Sequence, residues 1–134
     1  MKKAKRLLAL FLVLCMMVCA MALPASASVV RNYSMNLPSG FTNAVRSTDM
    51  QNRESGTAYV QPSVNTISTV YYLSPSQKSS TQATALIYTS NTSRRNFTFL
   101  SGYGGPETRL CLSACPDWNV GTHDAYNVRG TWAQ

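Results

Sequence analysis

From Thr57 onward, apolar residues fall at every second position in short runs, each closed by Pro, Gly, Asn or Ser. In Thr66–Ser74, Ile67, Thr69, Tyr71 and Leu73 fall on one face and Val70 and Tyr72 on the other. The period of two is that of an extended strand, whose successive side chains point to opposite faces. The pattern recurs over Thr57–Gln61, Ala83–Ser90, Asn96–Ser101, Glu107–Ala114 and Ala125–Trp132. In the last run Tyr126, Val128, Gly130 and Trp132 share a face. Pro62, Pro75 to Ser80, Asn91 to Arg95 and Gly102 to Pro106 supply the breaks. No helix-length pattern of period 3.6 intervenes, which excludes a parallel α/β sheet. The expected fold is all-β: a small antiparallel β-sandwich of about six to seven strands, with aromatic strand faces forming the core between two sheets.

The first 27 residues have a different character. Lys2, Lys3, Lys5 and Arg6 form a cationic head, Leu7 to Leu23 is an unbroken apolar run, and Ala25-Ser26-Ala27 closes it in small residues. This is the three-part build of a secretory signal peptide. The competing reading is an uncleaved membrane anchor; Pro24 favours an extended, peptidase-accessible segment instead. Cleavage is expected after Ala27, with Ala22 as the second choice. The chain thus divides into a signal peptide (1–27), an N-terminal extension with an edge strand over Asn32–Leu37 (28–56), and a sandwich core (57–134). Phe41 to Arg53 reads as a surface loop or a single helical turn. The expected localisation is secreted and extracellular, with no membrane span after cleavage.

Cleavage changes the charge. Four of the 12 basic residues lie in the leader, leaving eight against five acids, a net charge of +3 in place of +7. A nucleic-acid partner loses its electrostatic footing. Two of the four cysteines also leave, so Cys111 and Cys115 remain. In an oxidising compartment such a pair is expected as an intrachain disulfide, with free thiols or an intermolecular bridge as alternatives. In a straight strand their Cα atoms would lie ~13 Å apart, so the bond requires the chain to turn between them.

Motifs for chemistry are sparse. Cys111, Cys115, His123 and an aspartate have no standard zinc spacing, and a loop histidine is the simpler reading, so no metal or other cofactor is expected. The same residues do not make a marked Cys/His/Asp nucleophile, and the five carboxylates (Asp49, Glu54, Glu107, Asp117, Asp124) sit in loops, outside any glycosidase motif. Asn32, Asn91 and Asn96 fit the N-glycosylation pattern, which is short enough to arise by chance in a Ser/Thr-rich chain. Binding candidates are Tyr103, presented by the loop Gly102-Tyr103-Gly104-Gly105-Pro106; Trp118, in a polar loop where packing does not explain it; and Arg94 and Arg95, which suit a phosphate or carboxylate.

The closing run Val128-Arg129-Gly130-Thr131-Trp132-Ala133 resembles the last strand of the β-sandwich lactococcin bacteriocins, and the overall plan is similar to small secreted proteins of Gram-positive bacteria. The resemblance implies a sandwich fold and action outside the cell on a cell-wall precursor lipid. The chain lacks the His-rich segment of that group. Three functions follow as expectations: a non-enzymatic secreted protein that binds an extracellular or cell-envelope ligand, a bacteriocin-like antimicrobial, and a small secreted hydrolase.

Overall fold

A computed structural model describes residues 28–40, 44–53 and 56–134. The expected signal peptide, residues 1–27, lies outside them. Among the described residues the regular structure is entirely strand, and no helix is long and apolar enough to cross a membrane.

Nine strands form two antiparallel sheets: β1 (Arg31–Leu37), β2 (Arg46–Ser47), β3 (Gln51–Asn52), β4 (Tyr59–Val64), β5 (Thr69–Ser74), β6 (Ile87–Thr89), β7 (Arg95–Asn96), β8 (Arg109–Pro116) and β9 (Tyr126–Ala133). The first sheet runs β1-β9-β4-β7; the second runs β2-β8-β5-β6, with β3 also on β8. The all-β sandwich expected from the alternation is therefore present, built from more and shorter strands than the sequence suggests.

The expected edge strand is β1. It pairs with β9 from Arg31↔Trp132 to Leu37↔Tyr126, and its alternation buries Tyr33, Met35 and Leu37 while leaving Asn32, Ser34 and Asn36 in solvent. Those three apolar side chains enter the main core with Val60, Tyr71, Leu73, Leu110, Leu112, Val128 and Trp132, so this strand is integral to the sandwich. The main core thus fills the space between the sheets from the inner faces of both, as aligned sheets require.

Two sequence expectations fail at prolines and cysteines. The sequence pattern ends the strand at Pro62, yet β4 continues to Val64. The register shifts between Pro62 and Val64, making a β-bulge with Ser63 as the extra residue. A bulge tolerates the missing proline N–H. Opposite it, a Cβ on Gly130 would lie 2.2 Å from Gln61 O, 2.7 Å from Pro62 Cα and 2.9 Å from Ser63 N. Only glycine fits there.

The disulfide expectation is corrected outright. Cys111 and Cys115 are free thiols, both buried. β8 runs straight through both, held to β5 over six pairs from Thr69↔Pro116 to Ser74↔Cys111. The turn the bond needs is absent. Four residues of extended chain separate the Cα atoms by ~13 Å, about twice a disulfide's span.

The second sheet is buried on both faces. Leu110, Leu112 and Ala114 of β8 face the main core, whereas Val70, Tyr72 and Cys115 form a small second cluster on the outer face with Val45 and Leu86 packed over it. The loop after β5 is tied down there: Tyr72 Oη donates to Ser79 O (2.6 Å), Lys78 N donates to Ser47 Oγ (2.9 Å), and Gln77 Nε2 donates to Thr48 O (2.8 Å).

Candidate functional site

The outer face of the second sheet carries a groove of about 120 Å³, with Val70, Tyr72, Leu86 and Cys115 among its lining and Trp118 at its rim. Its apolar lining follows from the doubled apolar pattern of β5, where Val70 and Tyr72 alternate with the core residues Tyr71 and Leu73. Ser80 and Gln82 add polar groups to the lining.

Trp118 is 47 % exposed and Tyr88 is 40 % exposed. Their rings meet edge to face, centroids 5.4 Å apart and planes at 88°. That is a favourable aromatic geometry, worth about 0.5–1.5 kcal/mol beyond burial. The pair is held on a fixed support. Asp117 accepts from Ser68 Oγ at 2.8 Å through Oδ2, and from Asn119 N and Nδ2 at 3.0 Å through Oδ1. Its backbone adds a bond on each side: Asp117 N donates to Ser68 O, and Val120 N donates to Asp117 O. The carboxylate is thus committed to shaping the turn that presents Trp118.

Cys115 at the groove floor is a resting thiol. Burial, reinforced by the nearby Asp117 charge, pushes it up to about 11. Burial also raises Cys111, against the hydrogen bonds of Ser113 and Ser47 that favour its thiolate. Neither has the lowered pKa of a nucleophilic cysteine. His123 sits elsewhere in the chemistry as well: its Nδ1 pairs with Asp124 O at 2.9 Å and its ring packs on Tyr126. Among the described residues, no three His, Cys, Asp or Glu side chains gather as metal ligands would.

The remaining sequence candidates do not join Trp118. Tyr103 is half-buried and packs against the main core, its loop turned by Gly102 at φ 90°. Arg94 lays its guanidinium 3.7 Å from the centroid of the Tyr59 ring, a cation–π contact on the first sheet. Arg95 lies exposed on β7, opposite Val60. Gly130 and Trp132, on which the bacteriocin resemblance rests, serve packing: Trp132 is 1 % exposed in the core and Gly130 underlies the bulge.

Sequence reasoning missed Tyr88 and the groove beneath the pair. The signal was present in Thr69-Val-Tyr-Tyr-Leu73 and Leu110-Cys-Leu-Ser-Ala114, runs too continuously apolar for a strand with one wet face. Comparison with protein-family models, characterised proteins and solved structures gives no match for this chain.

Proposed function

We propose that the protein is secreted and acts without catalysis, holding a partner at the extracellular or cell-envelope surface through the groove bounded by Trp118. The observation that carries this reading is the exposed Trp118–Tyr88 pair, fixed beside an apolar groove by a fully bonded turn. Two large aromatic rings left in solvent on a rigid support are what a binding surface requires, because little conformational freedom is lost on contact. The leader-like first 27 residues support the compartment, since they have the head, apolar run and small-residue end of an export signal.

The test is retention. The processed protein, recovered from culture medium and immobilised, is expected to hold a component of envelope fractions, and Trp118→Ala is expected to release it while leaving the melting temperature within a few degrees. Failure of the unaltered protein to retain anything refutes the proposal, as does equal retention by the Trp118→Ala variant. Growth inhibition of related bacteria by the purified protein would move the reading to the bacteriocin-like function.

A further inference from the structure

A second surface lies on the outer face of the first sheet, independent of the Trp118 groove. There a polar trough of about 300 Å³ is lined by Asn32, Gln61, Pro62, Ser63, Gly130 and Thr131. That volume is at the lower end of sites that hold small ligands. Its shape follows from register. Asn32 pairs with Thr131, and Thr131 pairs with Gln61, so three polar side chains stand in one row across β1, β9 and β4. The amides flank the shorter threonine from strands two spacings apart, about 10 Å. The bulge at Ser63, opposite Gly130, completes the hollow.

The chemistry of the trough differs from that of its neighbours. Asn127, further along the same face, is consumed internally: its Nδ2 donates to Ser34 Oγ, Met35 O and Asn36 Oδ1. Asn32, Gln61 and Thr131 make no side-chain hydrogen bond with any described residue, which leaves two amides and a hydroxyl to donate and accept outward. Guanidinium groups bracket the row. Arg129 lies two residues before Thr131 on the same face of β9. Arg94 sits over Tyr59, two residues before Gln61 on β4, and because the strands are antiparallel it lies on the other side of the row from Arg129. None of the four strands of this sheet contains a carboxylate.

We propose that this trough binds an acidic polysaccharide laid along the strands. A sugar ring sits between Asn32 and Gln61, whose amides pair with its hydroxyls, and negative groups on the chain reach Arg129 and Arg94. Amides and hydroxyls suit polyols, and guanidinium is suited to planar, bidentate pairing with carboxylates. Charge complementarity selects the acidic chain over a neutral one.

Calorimetric titration of the purified protein tests this with three tetrasaccharides: tetragalacturonate, a sulfated tetrasaccharide and maltotetraose. Both acidic probes, or one, are expected to bind, and their order tells carboxylate from sulfate as the recognised anion. Maltotetraose is expected to bind at least tenfold more weakly, equivalent to about 1.4 kcal/mol. Arg129→Gln is expected to weaken the acidic probe at least tenfold and to flatten its salt dependence. Thr131→Phe, which fills the trough, is expected to abolish binding with the melting temperature nearly kept. Trp118→Ala is expected to change nothing, which separates this site from the groove. The proposal is overturned if neither acidic probe binds, if maltotetraose binds equally, if Arg129→Gln retains full affinity, or if oligo-dT binds more tightly than either acidic sugar. Loss of binding in Trp118→Ala would instead assign the saccharide to the groove.

Discussion

Gly130→Ala is expected to be among the most damaging small substitutions in the molecule. The added Cβ would stand 2.2 Å from Gln61 O, 2.7 Å from Pro62 Cα and 2.9 Å from Ser63 N. All three are backbone atoms, so no side-chain rotation relieves the overlap. β4 must back away by about 1 Å at the bulge, where it is held by the Gln61↔Thr131 and Val64↔Arg129 pairings and by Ser63 Oγ donating to Arg129 O at 3.1 Å. Overpacking of this kind costs about 1–3 kcal/mol. Losing one or two hydrogen bonds adds about 1 kcal/mol each. Against this, replacing glycine lowers the entropy of the unfolded chain and returns about 0.4–1 kcal/mol. The net is a loss of about 2–4 kcal/mol, a large part of the 5–15 kcal/mol typical of a domain. Urea unfolding followed by tryptophan fluorescence measures it as a lowered midpoint at unchanged slope. Gly104→Ala is the control: its Cβ would meet only Phe99, at 3.8 Å, so the substitution should be neutral to stabilising, by up to about 1 kcal/mol. A Gly130→Ala midpoint matching that control would refute the close-approach argument.

Three further outcomes are expected. Intact mass should show both Cys111 and Cys115 as thiols, and a thiol reagent should label the fully buried Cys111 in the native protein only at the rate of global unfolding, while Cys115, which lines the groove, reacts faster; a mass lower by the two hydrogens of a disulfide would contradict the straight course of β8. Stability should be lost in alkali: burial raises Cys115 from 9.0 to about 11 and Tyr33 from 10.0 to about 12, so the folded state holds these protons longer than the unfolded chain. The Cys115 contribution is complete below about pH 9 and is lost between about pH 9 and 11, and that of Tyr33 is complete below about pH 10 and is lost between about pH 10 and 12, at up to about 1.4 kcal/mol per pH unit within each window; a flat midpoint across the whole range would refute it. Tyr71→Phe should raise stability by no more than about 1 kcal/mol, because the buried Tyr71 hydroxyl makes no hydrogen bond of ordinary geometry with a described residue, although the Tyr33 and Thr69 hydroxyls lie close enough to interact with it. A loss of more than 1 kcal/mol in thermal or urea unfolding would show that the hydroxyl is paired.

How far the sequence could be read depended on whether a strand has one wet face. In β1 and β9 it does, and the alternation of Tyr33, Met35 and Leu37 with Asn32, Ser34 and Asn36 could be read directly. In β8 it does not, and Cys111 and Cys115 looked like a redox pair when they are outer-face packing residues on a doubly covered strand. Residues 83–101 misled differently. Two strands were expected, but β6 and β7 have three and two residues and belong to different sheets. Residues 90–94 between them pass from one sheet to the other, and outside these two short strands the run is held by the isolated Thr84↔Phe99 bridge and by bonds such as Phe97 N to Ala58 O. Its alternation serves packing without a continuous ladder. β2 and β3 had no side-chain signal, because they join β8 through backbone pairing that polar residues make equally well. At the site, Trp118 was visible as an aromatic ring in a polar loop, while Tyr88 was hidden inside an ordinary strand pattern until the fold brought the two together.

The seam between β1 and β9 bears on the export proposed for this chain. Among the described residues β1 has no other neighbour in its sheet, and the main partner of β4 is also β9. If the chain is exported head first, as proposed above, Arg31–Leu37 emerges early and must wait for Tyr126–Ala133 before the first sheet can close. Pairing over so large a sequence separation is slow to form and is stable only once complete. On that reading the second sheet, whose strands all end by Pro116, can pair during passage, whereas the first sheet closes only after the last strand has emerged.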